Sequence, residues 1–208
     1  MRKVMICILI ILVVQVSSSK EVHRVAVGST GNIIELTIEN ASSLMANDIH
    51  VKAMKIPSWI HMNVTEMAFD QVKPGGEKPA TFTFSIDRTA PINSEQTLHF
   101  TISTLSGEEW AKEITISVSP PEKFELLQNY PNPFNPQTSI EYILPKSEEV
   151  KLVVYDVLGQ EVQTLVDEVQ NPGYKSIVFN ANSLPSGVYI YKFTAGTVTD
   201  VKKMILMR

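Results

Sequence analysis

Hydrophobic and polar residues alternate with a period of two along much of the chain, which is the pattern of half-buried β-strands. In residues 81–86, Phe82, Phe84 and Ile86 fall on one face of a predicted strand, and hydroxyl-bearing residues fall on the other. Residues 97–104 repeat this alternation. Turn-forming residues separate such runs at short intervals, as in β-sandwich proteins. We therefore predict an antiparallel β-sandwich over residues 20–119.

A second set of short predicted strands occupies the C-terminal part of the chain. One of them carries Tyr189, Tyr191 and Phe193 on one face and Val188 and Ile190 on the other. Because both of its faces are apolar, we expect it in the middle of a sheet. The chain as a whole is predicted to be all-β, with two small antiparallel sandwiches in tandem.

The stretch FELLQNYPNPFNP, residues 124–136, opens this second region. Its prolines lack backbone donors, so they exclude a helix and disfavour a central strand. We predict an irregular extended crossing in which Tyr130 and Phe134 pack as anchors and asparagine side chains bond backbone groups. A solvated linker is the plainer alternative. The aromatic and leucine content argues against it, and the linker is placed at residues 120–123.

The N-terminus has the three-part layout of a secretory signal peptide. Arg2 and Lys3 precede an apolar run over residues 4–16, and serines follow. The run is shorter than the roughly 20 residues of a membrane-spanning helix. We predict a signal peptide at residues 1–19 and no transmembrane span in the mature chain. The only cysteine, Cys7, would leave with it, so neither a disulfide nor thiol chemistry is expected.

Composition and charge narrow the possible partners. The chain is 44% hydrophobic and 19% charged, which is typical of folded proteins. Its formal charge is −4, and loss of the leader would leave 16 basic against 22 acidic residues, or −6. A negative chain without a basic stretch is a poor match for nucleic acid.

No motif of an enzyme or of a bound cofactor is evident. The four histidines lack the spacing of a zinc site, and neither a GxSxG elbow nor a phosphate-binding loop is present. We predict a non-catalytic protein without cofactor or metal. Trp59 and Trp110 are expected to fill the core, although an exposed indole can also stack on a sugar ring. A carbohydrate-binding module that uses these two residues is the alternative.

The order of segments in residues 22–118 resembles the Ig-like domains of bacterial surface proteins and carbohydrate-active enzymes. The matching segments are a strand ending in Glu39-Asn40, a strand over residues 48–54, the step Pro57-Ser58-Trp59-Ile60, and Val72-Lys73-Pro74-Gly75 before a phenylalanine-rich strand. The resemblance implies an Ig-like fold and a role as a spacer or accessory module.

The C-terminal region carries QNYPNPFNP, VYDVLGQEVQTLV, LPSGVYIYKFTAG and KKMILMR in this order. These motifs resemble the C-terminal sorting domain of type IX secretion, and the resemblance covers residues 124–208. It implies that the domain directs a folded cargo across the outer membrane of a Gram-negative bacterium. It also implies that the domain is then commonly removed while the cargo is attached to surface lipopolysaccharide or released.

The resemblance assigns the sorting signal to particular positions. Phe179 and Asn180 replace a frequent Trp-Asp pair, and Arg208 stands where lysine is usual. The chain is apolar almost to its last residue, so its end must be buried in a sheet or held by a partner. The implied sorting residues are Tyr130, Pro131, Asn132, Pro133, Phe134, Asn135, Pro136, Asp156, Gly159, Gly187, Tyr189, Lys202, Lys203 and Arg208.

These observations predict a secreted or cell-surface protein of a Gram-negative bacterium. The expected order is a signal peptide (1–19), an Ig-like sandwich (20–119), a linker (120–123) and an Ig-like sorting domain (124–208). Its expected partners are the type IX secretion machinery and, through the resemblance, surface lipopolysaccharide or a glycan. The middle domain is expected to be a structural or interaction module.

Overall fold

The structure, a computed structural model, describes residues 5–11 and 22–208. The chain divides into two compact units, Met1–Ser119 and Pro120–Arg208. Among the described residues there is no helix, and hence no apolar helix of membrane-spanning length. The predicted all-β fold class is confirmed.

The N-terminal unit is built from short and medium strands joined by tight turns. Gly75, with φ +67°, shows why glycine stands in one of these turns, since other residues rarely adopt that conformation. The described strands of this unit are β1 (Met5–Ile11), β2 (Val22–Ala26), β3 (Asn32–Glu39), β4 (Ala46–Met54), β5 (Ile60–Met62), β6 (Glu66–Val72), β7 (Glu77–Ile86), β8 (Glu95–Ser103) and β9 (Glu109–Ser119).

Two sheets form this unit, with strand orders β1-β3-β7-β5 and β2-β9-β8-β4-β6. Alternate residues of β3, β7 and β8 are buried, as the period of two predicts. Phe82 of one sheet and Phe100 of the other meet with ring centroids 5.1 Å apart, which places the core between the sheets.

Two pairings depart from the predicted antiparallel arrangement, because β1 runs parallel to β3 and β2 runs parallel to β9. Neither pair is joined by a hairpin, so the chain direction is free to be parallel. Within the predicted signal peptide, residues 5–11 form β1. Residues 1–4 and 12–21 lie outside the described residues, and with them the predicted cleavage site. The signal peptide therefore stays a prediction.

The C-terminal unit is a second sandwich. Its sheets have strand orders β10-β11-β14 and β13-β12-β15-β16, and β15 lies inside its sheet, as its two apolar faces predict. Tyr142 and Phe193 pack across the two sheets with ring centroids 5.1 Å apart. The strands are β10 (Glu125–Leu126), β11 (Gln137–Leu144), β12 (Glu148–Tyr155), β13 (Glu161–Gln170), β14 (Gly173–Asn180), β15 (Gly187–Ala195) and β16 (Val198–Leu206).

Candidate functional site

The proline-rich stretch connects β11 and β16 of the C-terminal sandwich as an irregular segment. Tyr130 exchanges backbone hydrogen bonds with Ser139, and Phe134 forms a parallel bridge to Leu206. Phe134 is 2% exposed and packs 6.0 Å from the ring of Phe179. Phe134 is therefore the anchor that the sequence predicted. The same prediction is wrong for Tyr130, whose side chain is 82% exposed because its backbone, and not its ring, holds it to β11.

Asparagine side chains satisfy backbone groups of this segment, as predicted. Asn129 is buried, and its Nδ2 donates to the carbonyl of Pro131 (3.0 Å) and to Oγ1 of Thr138 (2.9 Å). Asn132 Oδ1 accepts the backbone N–H of Ile205 at 2.9 Å. The segment is thus fixed by directed bonds where its prolines cannot donate.

Tyr191 of β15 ties this segment to the second sheet. Its hydroxyl accepts the backbone N–H of Asn129 and donates to the carbonyl of Leu127, each at 2.9 Å. Burial raises the pKa of Tyr191 to about 12, so the phenol keeps its proton and remains a donor at neutral pH. This role of Tyr191 was not predicted from the sequence. An inward-facing tyrosine was the available signal, because a buried phenol usually finds a partner.

The turn between β12 and β13 contains two of the implied sorting positions, Asp156 and Gly159. Asp156 Oδ1 accepts the backbone N–H groups of Leu158 and Gln160, both at 2.9 Å, and Gly159 adopts φ +78°. These bonds close the turn locally. Leu158 is left exposed at its tip.

The remaining sorting positions lie on β15 and β16, which pair along their whole length. Tyr189 is buried, and its hydroxyl donates to the carbonyl of Pro185. Gly187 is exposed, and an added Cβ would meet nothing within 4 Å. Lys203 is exposed, whereas Lys202 is half-buried.

The last residue is held by the turn before β15. The backbone N–H of Arg208 donates to Oγ of Ser186 at 3.2 Å, and its guanidinium contacts the carbonyls of Ala181 and Asn182. Met204 and Leu206 are fully buried beside it. Met204 and Leu206 are therefore part of the sandwich core, whereas Met207 is exposed.

The sequence profile described as the secretion system C-terminal sorting domain matches residues 128–207. The C-terminal unit carries a type IX sorting domain. This confirms the resemblance seen in the sequence. A sorting domain implies that the chain is directed by type IX secretion to the cell surface or the exterior. Comparison with proteins of curated function gave no match.

Several solved structures are similar to the chain. Latent PorU from Porphyromonas gingivalis has a TM-score of 0.34 and 13% identity, over 92% of this chain and 19% of PorU. The CupB2 chaperone from Pseudomonas aeruginosa has a TM-score of 0.29 and 10% identity, over 90% and 98%. The serine protease VesC from Vibrio cholerae has a TM-score of 0.34 and 9% identity, over 89% and 50%. The chain thus spans about a fifth of the PorU chain.

The N-terminal unit has a groove of about 470 Å³ at the end of its sandwich. The β3–β4 connection forms one wall and the β8–β9 hairpin forms the other. Trp110 is half-buried and lines the groove, whereas Trp59 is half-buried and does not. The structure therefore does not bring the two indoles into one site. The lining residues are Asn40, Ser42, Leu44, Met45, Ala46, Asn47, Thr104, Leu105, Ser106, Glu108 and Trp110.

Most polar groups in this groove are already bonded within the protein. Asn40 Nδ2 donates to two carbonyls, and its Oδ1 accepts from Ser42. Ser106 bonds both Thr104 and Glu108. The side chains of Leu44 and Leu105, in contrast, are 75% and 73% exposed. The groove is thus lined by an indole, by exposed aliphatic side chains and by polar groups that already have partners within the protein.

The histidines sit on the outside of the N-terminal unit. His50 Nδ1 lies 3.0 Å from Glu66 and its Nε2 lies 3.1 Å from Asp48. The hydrogen bond to Glu66 is the main cause that raises the pKa of His50, and the bond to Asp48 raises it further. The bond to His50 in turn lowers the pKa of Glu66. His61 and His99 pair with other carboxylates elsewhere. In the part of the chain that the structure describes, no group of three or more His, Cys, Asp or Glu side chains is arranged to hold a metal ion.

Proposed function

We propose that the protein is a non-catalytic cargo of type IX secretion, whose N-terminal sandwich acts as a structural or interaction module outside the cell. The sorting-domain match over residues 128–207 carries this proposal, since it implies delivery of whatever precedes it. The N-terminal unit supports the second part, because a groove with exposed aliphatic side chains suits contact with a partner.

The sorting residues divide into two groups by their place in the fold. One group stabilises the folded domain. Phe134 and Tyr189 are buried, and Asp156 and Gly159 form the turn between β12 and β13. A second group is exposed and consists of Tyr130, Pro131, Asn132, Pro133, Asn135, Gly187, Lys203 and Arg208. We infer that the secretion machinery contacts members of this exposed group, because their side chains or backbone are accessible in the folded domain.

Variants of the exposed group separate recognition from folding. Gly187→Ala introduces a methyl group into open space, and Lys203→Glu reverses an exposed charge. We expect both to leave the melting temperature within about 2 °C, since surface substitutions typically change stability by less than about 0.5 kcal/mol. At least one should reduce the amount of full-length protein that reaches the surface of a type IX-competent cell.

Two controls complete this test. Gly159→Ala forces a side chain into φ +78°, so it should destabilise the domain by about 1–2 kcal/mol. Deletion of Val201–Arg208 should abolish surface delivery, although it also removes buried Met204 and Leu206. Normal delivery of both exposed-group variants would show that these positions are not contacted. Normal delivery of the deletion would refute the sorting proposal.

A carbohydrate-binding module is the second candidate function. The observation that favours it is the half-buried Trp110 in the groove, because indoles stack on sugar rings. Titration of the full chain with a panel of polysaccharides should then shift tryptophan fluorescence, and Trp110→Ala should remove the shift. Trp59→Phe is the matched control outside the groove. A panel without any shift in fluorescence or melting temperature would contradict this function.

Attachment to surface lipopolysaccharide is proposed as the fate of the delivered cargo. The support is the sorting domain alone, since cargo of this family is attached to lipopolysaccharide or released once the domain is removed. Mass spectrometry of protein recovered from the cell surface should find a C-terminus upstream of residue 128 and an added lipid-sugar mass. An unmodified chain that still ends at Arg208 would contradict this fate.

A further inference from the structure

β16 is the last strand of its sheet, so one of its two edges has no neighbour among the described strands of that sheet. In the sheet order β13-β12-β15-β16, only one side of β16 is paired with another strand of that sheet. Partners on the two sides alternate along an antiparallel strand. Ile205 and Met207 bond groups outside β15, so the odd-numbered residues of β16 turn their backbone groups outward.

Most of these outward groups near the chain end are occupied by the proline-rich segment. Phe134 N–H donates to the carbonyl of Ile205 (2.9 Å), and its carbonyl accepts from Met207 (3.0 Å). Asn132 Oδ1 accepts the N–H of Ile205 at 2.9 Å, and Gln128 Nε2 donates to the carbonyl of Lys203 at 2.8 Å. Residues 128–134 thus bond three outward groups of β16 and the N–H of Met207, which follows the strand.

Further upstream, an outward N–H of β16 is bonded by a side chain of the strand itself. Asp200 Oδ1 accepts the N–H of Val201 at 2.7 Å. Without such partners, a nine-residue edge strand is a template for another strand. The exposed side chains of Val201 and Met207 would favour that association further.

We propose that residues 128–134 are an edge guard that prevents β16 from adding the equivalent strand of a second copy of this chain. Burial of Phe134 and the internal bonds of Asn129 hold the guard in place, so its attachment does not depend on the edge bonds alone. Pro131 and Pro133 have no N–H, so the guard cannot in turn serve as a full template. The prolines thus prevent a further strand from pairing with this segment.

The variant Gln128→Ala/Asn132→Ala in the full chain removes two of the four bonds made by residues 128–134, those at the carbonyl of Lys203 and the N–H of Ile205. Both side chains belong to exposed residues, so the core should remain intact, as near-ultraviolet circular dichroism can verify. We expect the Ile205 amide to exchange with deuterium about two- to tenfold faster, the range that loss of one hydrogen bond gives. Sedimentation velocity should then show a larger concentration-dependent fraction of dimer for the double variant than for the natural chain.

Two further variants keep the test decisive. Asn132→Asp retains an acceptor for Ile205 and should restore its protection in the presence of Gln128. Asn135→Ala changes an exposed asparagine of the same segment for which the structure records no side-chain bond to a described residue, so it should change neither readout. If the double variant is unfolded, Asn132→Ala alone serves, with the same expected direction.

The site of association is tested by a cysteine at the edge. In a Cys7→Ser background, Lys203→Cys should form an intermolecular disulfide under mild oxidation only when Gln128 and Asn132 are also replaced by alanine. Unchanged exchange at Ile205, a double variant that stays monomeric at high concentration, or equal cross-linking with and without the guard residues would overturn the proposal.

Discussion

Each unit of the molecule contains an irregular segment organised by a buried asparagine, and the two segments end differently. In the C-terminal unit, Asn129 bonds Pro131 and Thr138, and the segment goes on to bury Phe134. In the N-terminal unit, Asn40 bonds the carbonyls of Leu44 and Val72. That connection leaves Leu44 exposed.

The first segment therefore contributes to the stability of its sandwich, whereas the second exposes apolar side chains that a partner could contact. Residues 128–136 direct their bonds into the core and onto the edge of β16, so their sequence is constrained by folding. The connection at residues 40–46 is bonded through Asn40 to Val72 and to the turn at residues 75–76, but its apolar side chains, Leu44 and Met45, are exposed and contribute little to the core. We therefore expect the first segment to be sensitive to substitution, and the second to tolerate it unless a partner is bound.

Phe134→Ala should have the largest effect. Removal of a fully buried phenylalanine typically costs about 3–5 kcal/mol, and Phe134 also loses its contact with Phe179. Tyr130→Ser, four residues earlier in the same segment, should cost less than about 0.5 kcal/mol, because its ring is exposed. Urea unfolding of both variants measures the contrast. Equal costs would show that the segment is not anchored by Phe134.

Tyr191→Phe should have the next largest effect. It leaves the N–H of Asn129 and the carbonyl of Leu127 without their partner, which typically costs about 1–3 kcal/mol. Tyr142→Phe is the matched control, since its hydroxyl bonds only the side chain of Gln170. Urea unfolding measures the free energy of unfolding that each variant loses. A larger loss for Tyr191→Phe than for Tyr142→Phe would show that the hydroxyl of Tyr191 holds the segment in place. A smaller cost at Tyr191 than at Tyr142 would contradict that role.

Leu44→Ser and Leu105→Ser should have almost no effect on stability. Both side chains are exposed, so each change should stay within about 0.5 kcal/mol. Any partner that binds the groove should bind these variants less tightly, as calorimetric titration would detect. A large loss of stability would mean that the connection belongs to the core, and the contrast between the two segments would fail.

His50→Gln should have the smallest effect, and it should depend on pH. The raised pKa of His50 means that its protonated form stabilises the fold below the ordinary histidine pKa, and this contribution is lost as pH rises through the raised value. The lowered pKa of Glu66 preserves the pair until the pH falls below the usual carboxyl range. The variant should thus melt lower than the natural chain at about pH 5.5 and alike at about pH 9.

Features set by neighbouring residues were predictable from the sequence. The alternation in β7 and β8, the turn at Asp156–Gly159 and the central place of β15 each depend on local pattern or turn chemistry. Contacts between distant residues were not. Tyr191 and Asn129 are 62 positions apart, and no periodicity reveals that their polar groups meet.

The exposure of Tyr130 has the same explanation. An aromatic residue between prolines resembles an anchor in sequence, but the bridge to Ser139 turns its backbone, and hence its ring, outward. The groove beside Trp110 was likewise hidden, because two loops about 60 residues apart form it. The sequence indicated that Trp110 could stack on a sugar ring. The fold was needed to show that Trp110 lines the groove and Trp59 does not.

Delivery of the full chain in a type IX-competent bacterium and in the same strain without the secretion machinery is the most direct measurement of the role proposed for the C-terminal unit. Protease added to intact cells reports whether the N-terminal unit has reached the surface. We expect digestion only in the competent strain, and none in either strain when residues 124–208 are deleted. Equal surface exposure in both strains, or exposure without residues 124–208, would contradict sorting by this domain.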